Sequence, residues 1–507
     1  MVFPKVKILS VLLIFLLAVI LRFLYYPQNT YFGFDQARDA FAVREILNGN
    51  LKIVGPPTAT GIFHHGVLYY YIFAPFYLFS GGDPVAVSLF LRALNAAGIF
   101  LLFLIVNPMF GAVAAYLAMF LFAVSFEQTQ FSLFLNHPSL AVISVLIFYL
   151  GLSYWIFKKR MWGFFVSLFG LGLSIQFEFV ETQLVAVFAL FFLFFRKSTK
   201  FRVTDVLTGL LVFLVPISSF IISEIRHDFI IAKQIPDLIF NSSGGSGFVT
   251  SSLPKFLFFI NRHFHDNLVA NDFVIPFVAI LFLIIAIKLL MGRIYIKQTI
   301  FLSLWFFGGL LAYFFTDNDA YFYNTGTSIG LLVFASFLLS KLFSKSKLLT
   351  ACILFLIFAS NLSLITKYNP FGPNEKINPQ KGLLLKDEER VIDFIYQRAG
   401  GSDFAINALT MPYNVNTTWS YLFEWYGKGR YGYVPIWGGD GAAGFPGSLQ
   451  VENARSKLPS KRFLIVEPLE GIPSYLVDGF IKNEEIYATA IEKKRIGTMQ
   501  VWVQEAK

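Results

Sequence analysis

Residues 138–160 read PSLAVISVLIFYLGLSYWIFKKR, an uncharged apolar run through Phe157 closed by Lys158, Lys159 and Arg160. A helix of about 20 such residues is about 30 Å long, the thickness of a bilayer core, and the cationic triplet marks the side on which it stops. The same pattern recurs along the chain. Comparable apolar stretches, a few of them shorter, lie near 8–24, 84–106, 109–126, 161–177, 183–195, 206–223, 273–290, 299–315, 324–340 and 348–366, which with 138–157 predicts about eleven transmembrane helices. The chain has 507 residues, 56% hydrophobic and 14% charged, against roughly 25% charged in soluble domains. That composition excludes a soluble enzyme. A single cysteine, Cys352, excludes an intrachain disulfide and a cysteine-based metal site.

The net charge of +10 would point to nucleic acid in a soluble protein, but here it is sorted along the chain. Basic residues cluster at Lys5/Lys7, Lys158–Arg160, Arg196/Lys197/Lys200/Arg202, Lys288/Arg293/Lys297 and Lys341/Lys345/Lys347, with Asp205 the lone acid among them. These read as cytoplasmic turns, and no nucleic-acid partner is expected. The segments 25–83, 127–137, 178–181, 224–272 and 316–323 hold the other acids of the membrane part and all six histidines, and fall on the opposite side. Val67–Ser80 is then re-entrant or interfacial, because a full crossing would place Lys158–Arg160 outside. The first 24 residues resemble a signal peptide but lack a small-residue cleavage site before Arg22, which favours an uncleaved first helix.

The expected architecture is an all-α polytopic membrane bundle over 1–366, with a large first outer loop 25–83 and an outer loop 224–272. A small extracytoplasmic α/β domain follows over 367–507. Parity places the N-terminus in the cytoplasm and the C-terminal domain outside, in an integral protein of the plasma or inner membrane. The domain carries 17 basic and 16 acidic residues, a helical stretch Lys386–Arg398, and strand-like Phe463–Val466 and Met499–Val503.

Polar residues gathered at one end of a bundle mark the site to consider first. The densest set runs from Phe34 through Asp35, Gln36, Arg38, Asp39, Arg44 and Glu45 to Gly49, a helix stop. Helical spacing puts Asp35, Arg38, Asp39, Ala42 and Glu45 on one face. Locally, Asp35 reads as a helix N-cap with Arg38 pairing beside it. Then follow Gly55-Pro56-Pro57-Thr58, Gly61-Ile62-Phe63-His64-His65-Gly66 and the tyrosines 69, 70, 71 and 77.

Asp35-x-x-Arg38, then Arg44-Glu45-Ile46 and Gly49, then Leu68-Tyr69-Tyr70-Tyr71, Gly81/Gly82 and Arg92, resembles the first-loop pattern of the GT-C glycosyltransferases. The nearest pattern is that of the protein O-mannosyltransferases and the lipid A aminoarabinose transferases. Members usually read Asp-Glu at the loop start and Lys-Pro-Pro-Leu-Tyr-Tyr-Trp later. Here Gln36 replaces the Glu, and His65-Gly66-Val67 replace Lys-Pro-Pro. The resemblance covers residues 1 to about 200 in order and spacing, and the whole chain in architecture. It implies transfer of a sugar from a polyprenyl-phosphate donor to a lipid, glycan or protein acceptor on the extracytoplasmic face, with inversion. Asp35 would be the base, and Arg38, His65, Arg92 and His64 the groups on the donor phosphate. Asp39, Gln176, Glu178 and Tyr69 are candidates for the sugar or acceptor. Glu127 and Glu181 read as solvated helix ends.

His263-x-His265-Asp266 and the pair Asp317/Asp319 lack the converging ligands of a zinc or magnesium centre. No metal site is assigned, although some GT-C members use a divalent cation. Asn241–Gly247 reads as a lid or a linker, and Trp419–Tyr426 with Trp437–Asp440 as a sugar-binding surface or a packed core. Two other functions fit the pattern: a lipid-linked sugar transporter or flippase, and a non-catalytic glycan-binding membrane protein. Against the first, no internal repeat of broken helices is present. The sugar, the acceptor and the carrier length depend on cavity shape.

Overall fold

A computed structural model describes residues 5–58, 63–230, 233, 248–293, 295–314, 320–374, 380–441 and 444–507. The apolar stretches become helices, with breaks after Gly308 and between Leu214 and Ser218. The order is α1 (Lys5–Phe23), α2 (Phe34–Leu47), α3 (Leu68–Ser80), α4 (Pro84–Phe110), α5 (Ala112–Val124), α6 (Phe126–Leu133), α7 (Pro138–Lys158), α8 (Met161–Phe177), α9 (Gln183–Phe195), α10 (Val203–Leu214) and α11 (Ser218–Arg226). Helices Phe248–Asn267, Ile275–Met291, Ile296–Gly308, Thr327–Lys345 and Lys347–Tyr368 complete the bundle. By length and composition, four helices among the described residues can cross a membrane, or six if the bent pairs α5/α6 (55°) and α10/α11 (71°) each form one span. Eleven were expected; besides these, Ile8–Phe23, Met161–Phe177, Phe179–Phe195 and Ile275–Met291 are shorter apolar helices. Ser125 caps α6 at the α5/α6 bend, accepting a hydrogen bond from the Gln128 amide at 3.1 Å.

Glycines set the closest helix contact. A Cβ on Gly151 of α7 would lie 2.2 Å from the Ser167 amide nitrogen of α8, and one on Gly170 would lie 2.4 Å from that of Phe148. Small residues let these two backbones touch, as in other membrane bundles. The α3 helix is 13 residues long, about 20 Å. That is too short to cross, in keeping with an interfacial segment. It stops at Gly81, whose φ of +66° suits a residue without a Cβ.

Two buried arginines tie α1, α4 and α5 together, and the second also holds the first loop. Arg22 is buried and donates to Asn95 Oδ1 (2.7 Å) and to the Ala123 and Phe122 carbonyls (2.9 and 3.1 Å). Arg92 is fully buried and donates to the Arg22 carbonyl (2.7 Å), Asn29 Oδ1 (2.8 Å) and Ser88 Oγ (3.1 Å).

The C-terminal part is a mixed sheet in the order β2 (Ile436–Trp437), β1 (Ala405–Leu409), β3 (Lys461–Val466), β5 (Met499–Ala506), β4 (Ala488–Ile496). The first three are parallel, and β5 runs antiparallel to its neighbours. Helix Leu385–Ala399 covers it with an apolar face that includes Val391, Ile392 and Ile395. The expected helix and both expected strands are present. One continuous core joins Tyr31–Leu91 of the first loop to Leu383–Val501 of this domain. The backbones also interlock: the Phe32 amide donates to the Leu383 carbonyl (3.1 Å) and the Leu385 amide to that of Thr30 (2.9 Å).

Trp419 and Tyr421 serve this junction. Trp419 is buried and donates to Glu467 Oε1 (2.9 Å), while the Tyr421 hydroxyl donates to the Gly82 carbonyl (2.6 Å). Burial pushes the Glu467 carboxyl up to about 7, against three donors: the Gln380 side chain, the Met411 amide and Trp419. A raised folded-state value means that the native state holds the proton more tightly than the unfolded chain. The resulting stabilisation is full below about pH 4.5 and is lost as the pH rises through 7. Relative to Glu467→Gln, the wild-type domain is expected to lose up to about 3 kcal/mol of local stability across that window. Hydrogen exchange of the β1 and β3 amides at several pH values reads this out, and parallel pH profiles for the two proteins would contradict it.

Candidate active site

The α2 helix is held by its neighbours at both ends. Gly33 is its N-cap, in an extended conformation, and Gln36 Oε1 accepts from the Gly33 amide at 3.0 Å while its Nε2 donates to the Leu135 carbonyl at 3.2 Å. Gln36, standing where the resemblance expects Glu, thus performs the capping-box task with a neutral amide. Asp35 lies inside the first turn and is not the N-cap, which corrects the local reading. At the far end Gly49, with φ of +92°, stops the helix as expected. Arg44 pairs with Glu424 of the C-terminal domain.

On the exposed face, Arg38 bridges two carboxylates. Its Nη1 lies 2.6 Å from Asp35 Oδ1 and its Nη2 lies 2.8 Å from Asp39 Oδ1. The Asp35 side chain is 46% exposed, the Asp39 side chain 5%. Asp39 also accepts from the Tyr70 hydroxyl at 3.2 Å, and its Oδ2 has no hydrogen-bond partner. Burial pushes the Asp39 carboxyl up to about 6, outweighing the opposing pull of Arg38. The two neighbouring carboxyl groups differ in exposure: Asp39 is buried and Asp35 is half-exposed.

The His64/His65 segment folds back under this face. His64 is half-buried and bridges Pro57, and the His65 amide donates to the Pro56 carbonyl (2.9 Å). Gly66 presses on the end of α8, where its amide donates to the Gln176 carbonyl (2.9 Å) and any Cβ would fall 2.2 Å from the Gln176 side chain. Gln176 is itself buried. Oriented to satisfy its neighbours, its amide oxygen accepts from the Val67 and Leu68 amides and so caps α3, and its nitrogen donates to Ser219. Arg92 is not on this face: its nitrogens are spent on the ties already described.

His65, His137 and Glu178 converge. His65 Nδ1 lies 3.5 Å from Glu178 Oε1 and His137 Nδ1 lies 3.4 Å from Glu178 Oε2, with the imidazole centroids 4.0 Å apart. All three are buried. Burial first, then the positive field of Arg38, lowers the His65 imidazole to about 3, so it brings no charge to a phosphate. Tyr69 lies in the same layer, 5.4 Å from the His137 ring and 4.2 Å from Tyr70, its hydroxyl unpartnered. A cavity of about 280 Å³ opens beside His64 and His65, walled by Phe63, Ile175, Phe179 and Phe220.

A second buried cluster overturns another expectation. Glu127 and Glu181 are 0% and 1% exposed and are not solvated helix ends. Glu127 accepts from Asn267 Nδ2 (2.6 Å) and lies 3.4 Å from His263 Nδ1 and 3.7 Å from Arg262. His263 is engaged there and with Asn324 (2.7 Å), whereas His265 turns to Asp266 (2.7 Å), so His263-x-His265-Asp266 does not converge. Asp317, Asp319 and the Asn241–Gly247 segment lie outside the described residues.

Residues 64–222 match a family model described as dolichyl-phosphate-mannose-protein mannosyltransferase. Among solved structures, ArnT from Cupriavidus metallidurans bound to undecaprenyl phosphate is similar, with a TM-score of 0.58 at 10% identity over 97% of each chain. Its apo form gives 0.55 at 12% identity over 98% of each. The chain has the GT-C fold. The apo oligosaccharyltransferase of Archaeoglobus fulgidus is a more distant likeness, with a TM-score of 0.46 at 13% identity over 84% of this chain and 64% of that one. No curated protein sequence matches the chain.

Within this GT-C fold, His137 is the residue that the sequence reading passed over. It stands in Asn136-His137-Pro138, where a polar pair abuts the start of an apolar span, and that abutment was the available signal. Arg262 and Asn267 carried no comparable mark, because their partner Glu127 is more than 100 residues away in sequence, and Asn324 meets Arg262 and His263 only across about 60 residues.

Proposed function

We propose that the protein is an integral membrane glycosyltransferase that moves a sugar from a polyprenyl-phosphate donor to an acceptor on the extracytoplasmic face, with inversion. The single observation that carries this reading is the half-exposed Asp35 carboxylate, tied by one oxygen to Arg38 at the start of a clamped loop helix in a GT-C fold. The match to a mannosyltransferase family model over 64–222 and the likeness to a structure bound to undecaprenyl phosphate support the donor class.

In the reaction the acceptor hydroxyl attacks the anomeric carbon and a new C–O bond forms. The bond from that carbon to the phosphate oxygen breaks, and the carrier phosphate leaves with the electron pair. Asp35 takes the hydroxyl proton. The phosphate is already a weak base and needs no acid. It needs positive charge as it departs, which Arg38 supplies from beside the base. The apolar cavity next to His64 and His65 suits the first prenyl units of the donor. A larger apolar cavity of about 410 Å³, walled by Phe256, Ile260, Phe264, Phe282 and Phe306, offers a second lipid-compatible space.

Purified protein incubated with a panel of polyprenyl-phosphate sugars and with lipid, glycan and peptide acceptors is expected to release carrier phosphate only when donor and acceptor are both present. Translocation of an intact lipid-linked sugar across liposomes, without phosphate release, would replace this reading with a flippase.

A further inference from the structure

Three buried hydrogen-bond acceptors face one another around the junction of loop 63–66, the start of α7 and the end of α8, with only backbone amides as donors beside them. The Glu178 carboxylate is 0% exposed, and neither of its oxygens has a hydrogen-bond partner. The Val180 amide is directed at it without closing a full hydrogen bond. His137 Nδ1 is likewise without a partner, while its ring hydrogen-bonds the Phe177 backbone. His65 Nδ1 accepts a long bond of 3.3 Å from the Phe179 amide, which identifies it as the unprotonated nitrogen. His137 Nδ1 therefore has a free lone pair beside the carboxylate, and that of His65 is held only by this long bond.

A shared proton does not account for the spacing. A hydrogen bond between a carboxyl group and an imidazole closes to roughly 2.6–2.9 Å, but the two N···O separations are 3.5 and 3.4 Å. A tetrahedral cation with bonds of about 2.0–2.1 Å to nitrogen and oxygen separates its ligands by about 3.3–3.4 Å. The three ligand atoms lie within 4.8 Å of one another, the only such trio among the described residues. The bond from His137 to the Phe177 backbone is the outer support that metal-bound imidazoles usually have.

We propose that His65, His137 and Glu178 form a binding site for a divalent transition-metal ion of the zinc type, with water in the fourth position. Two imidazoles and one carboxylate are a donor set suited to zinc, and three protein ligands leave one position open. The ion would tie the His64/His65 segment to the ends of α7 and α8. It would also place positive charge at His65, the position where the resembling pattern carries Lys. That last use rests on the glycosyltransferase reading; the binding does not.

Full-length protein stripped with a chelator and titrated with Co²⁺ in detergent, with no donor present, tests the site apart from any transfer activity. One Co²⁺ per chain with the intense visible absorption of a tetrahedral complex is expected, displaced by Zn²⁺. The signal is expected to vanish in Glu178→Gln and His137→Gln, and to persist in His265→Gln. His137→Asp keeps a ligand atom and should retain one Co²⁺ with an altered spectrum, which covers the case in which the glutamine variants do not fold. Absence of the absorption in wild type, its survival in both glutamine variants, or its loss in His265→Gln would overturn the proposal.

Discussion

Asp35→Asn is expected to lower the turnover number by about 10²–10⁴, the range that a positioned general base contributes, with little change in stability. The substitution keeps the shape and removes the basicity. The side chain is 46% exposed and its contact with the protein is a single oxygen on Arg38, so the structural cost is that of a surface pair, about 0–1 kcal/mol. Donor binding is expected to persist, because Arg38 keeps its second partner, Asp39. The comparison to make is single-turnover phosphate release against binding of the same donor. A variant that turns over at the wild-type rate would remove Asp35 from the chemistry, and loss of donor binding together with turnover would recast it as a positioning residue.

Arg38→Ala should cost both stability and activity, and the two losses should respond differently to a second change. Asp39 is almost fully buried with Arg38 as its charge partner, and removing one member of such a pair typically costs 3–5 kcal/mol. The loss is expected near the lower end, about 3 kcal/mol, because the Asp39 carboxyl, already raised to about 6, can take up a proton and shed its charge. Adding Asp39→Asn removes the stranded carboxylate and should restore most of the stability, read as the thermal midpoint in detergent. Transfer should stay reduced by about 10²–10³, since the positive charge beside the departing phosphate is still missing. Recovery of both together would show that Arg38 acts only through Asp39.

The pairing of Arg38 with its neighbours was legible because it is local: residues three or four apart on a helix meet whatever the rest of the chain does. The same holds for Gly49 as a helix stop, and for Lys386–Arg398, whose apolar positions repeat at helical spacing. Arg92 was harder. The family resemblance implied a phosphate ligand there, and the fold turns its three nitrogens inward to the Arg22 carbonyl, Asn29 and Ser88. Glu127 and Glu181 went the same way: an acid at the end of an apolar run looks solvated until other helices close over it.

The amino-acid sequence by itself determined the membrane class of the chain, the positions of its helices, the first-loop helix carrying Asp35 and Arg38, and the α/β character of its tail. Hydrophobic period, charge sorting and turn chemistry act over a few residues and do not depend on what packs against them. Tertiary structure alone decided that the tail's aromatic segment clamps the first loop and that His65, His137 and Glu178 meet. Those outcomes depend on contacts between residues 40 to several hundred positions apart, and no local pattern encodes which buried polar group will answer another across that distance.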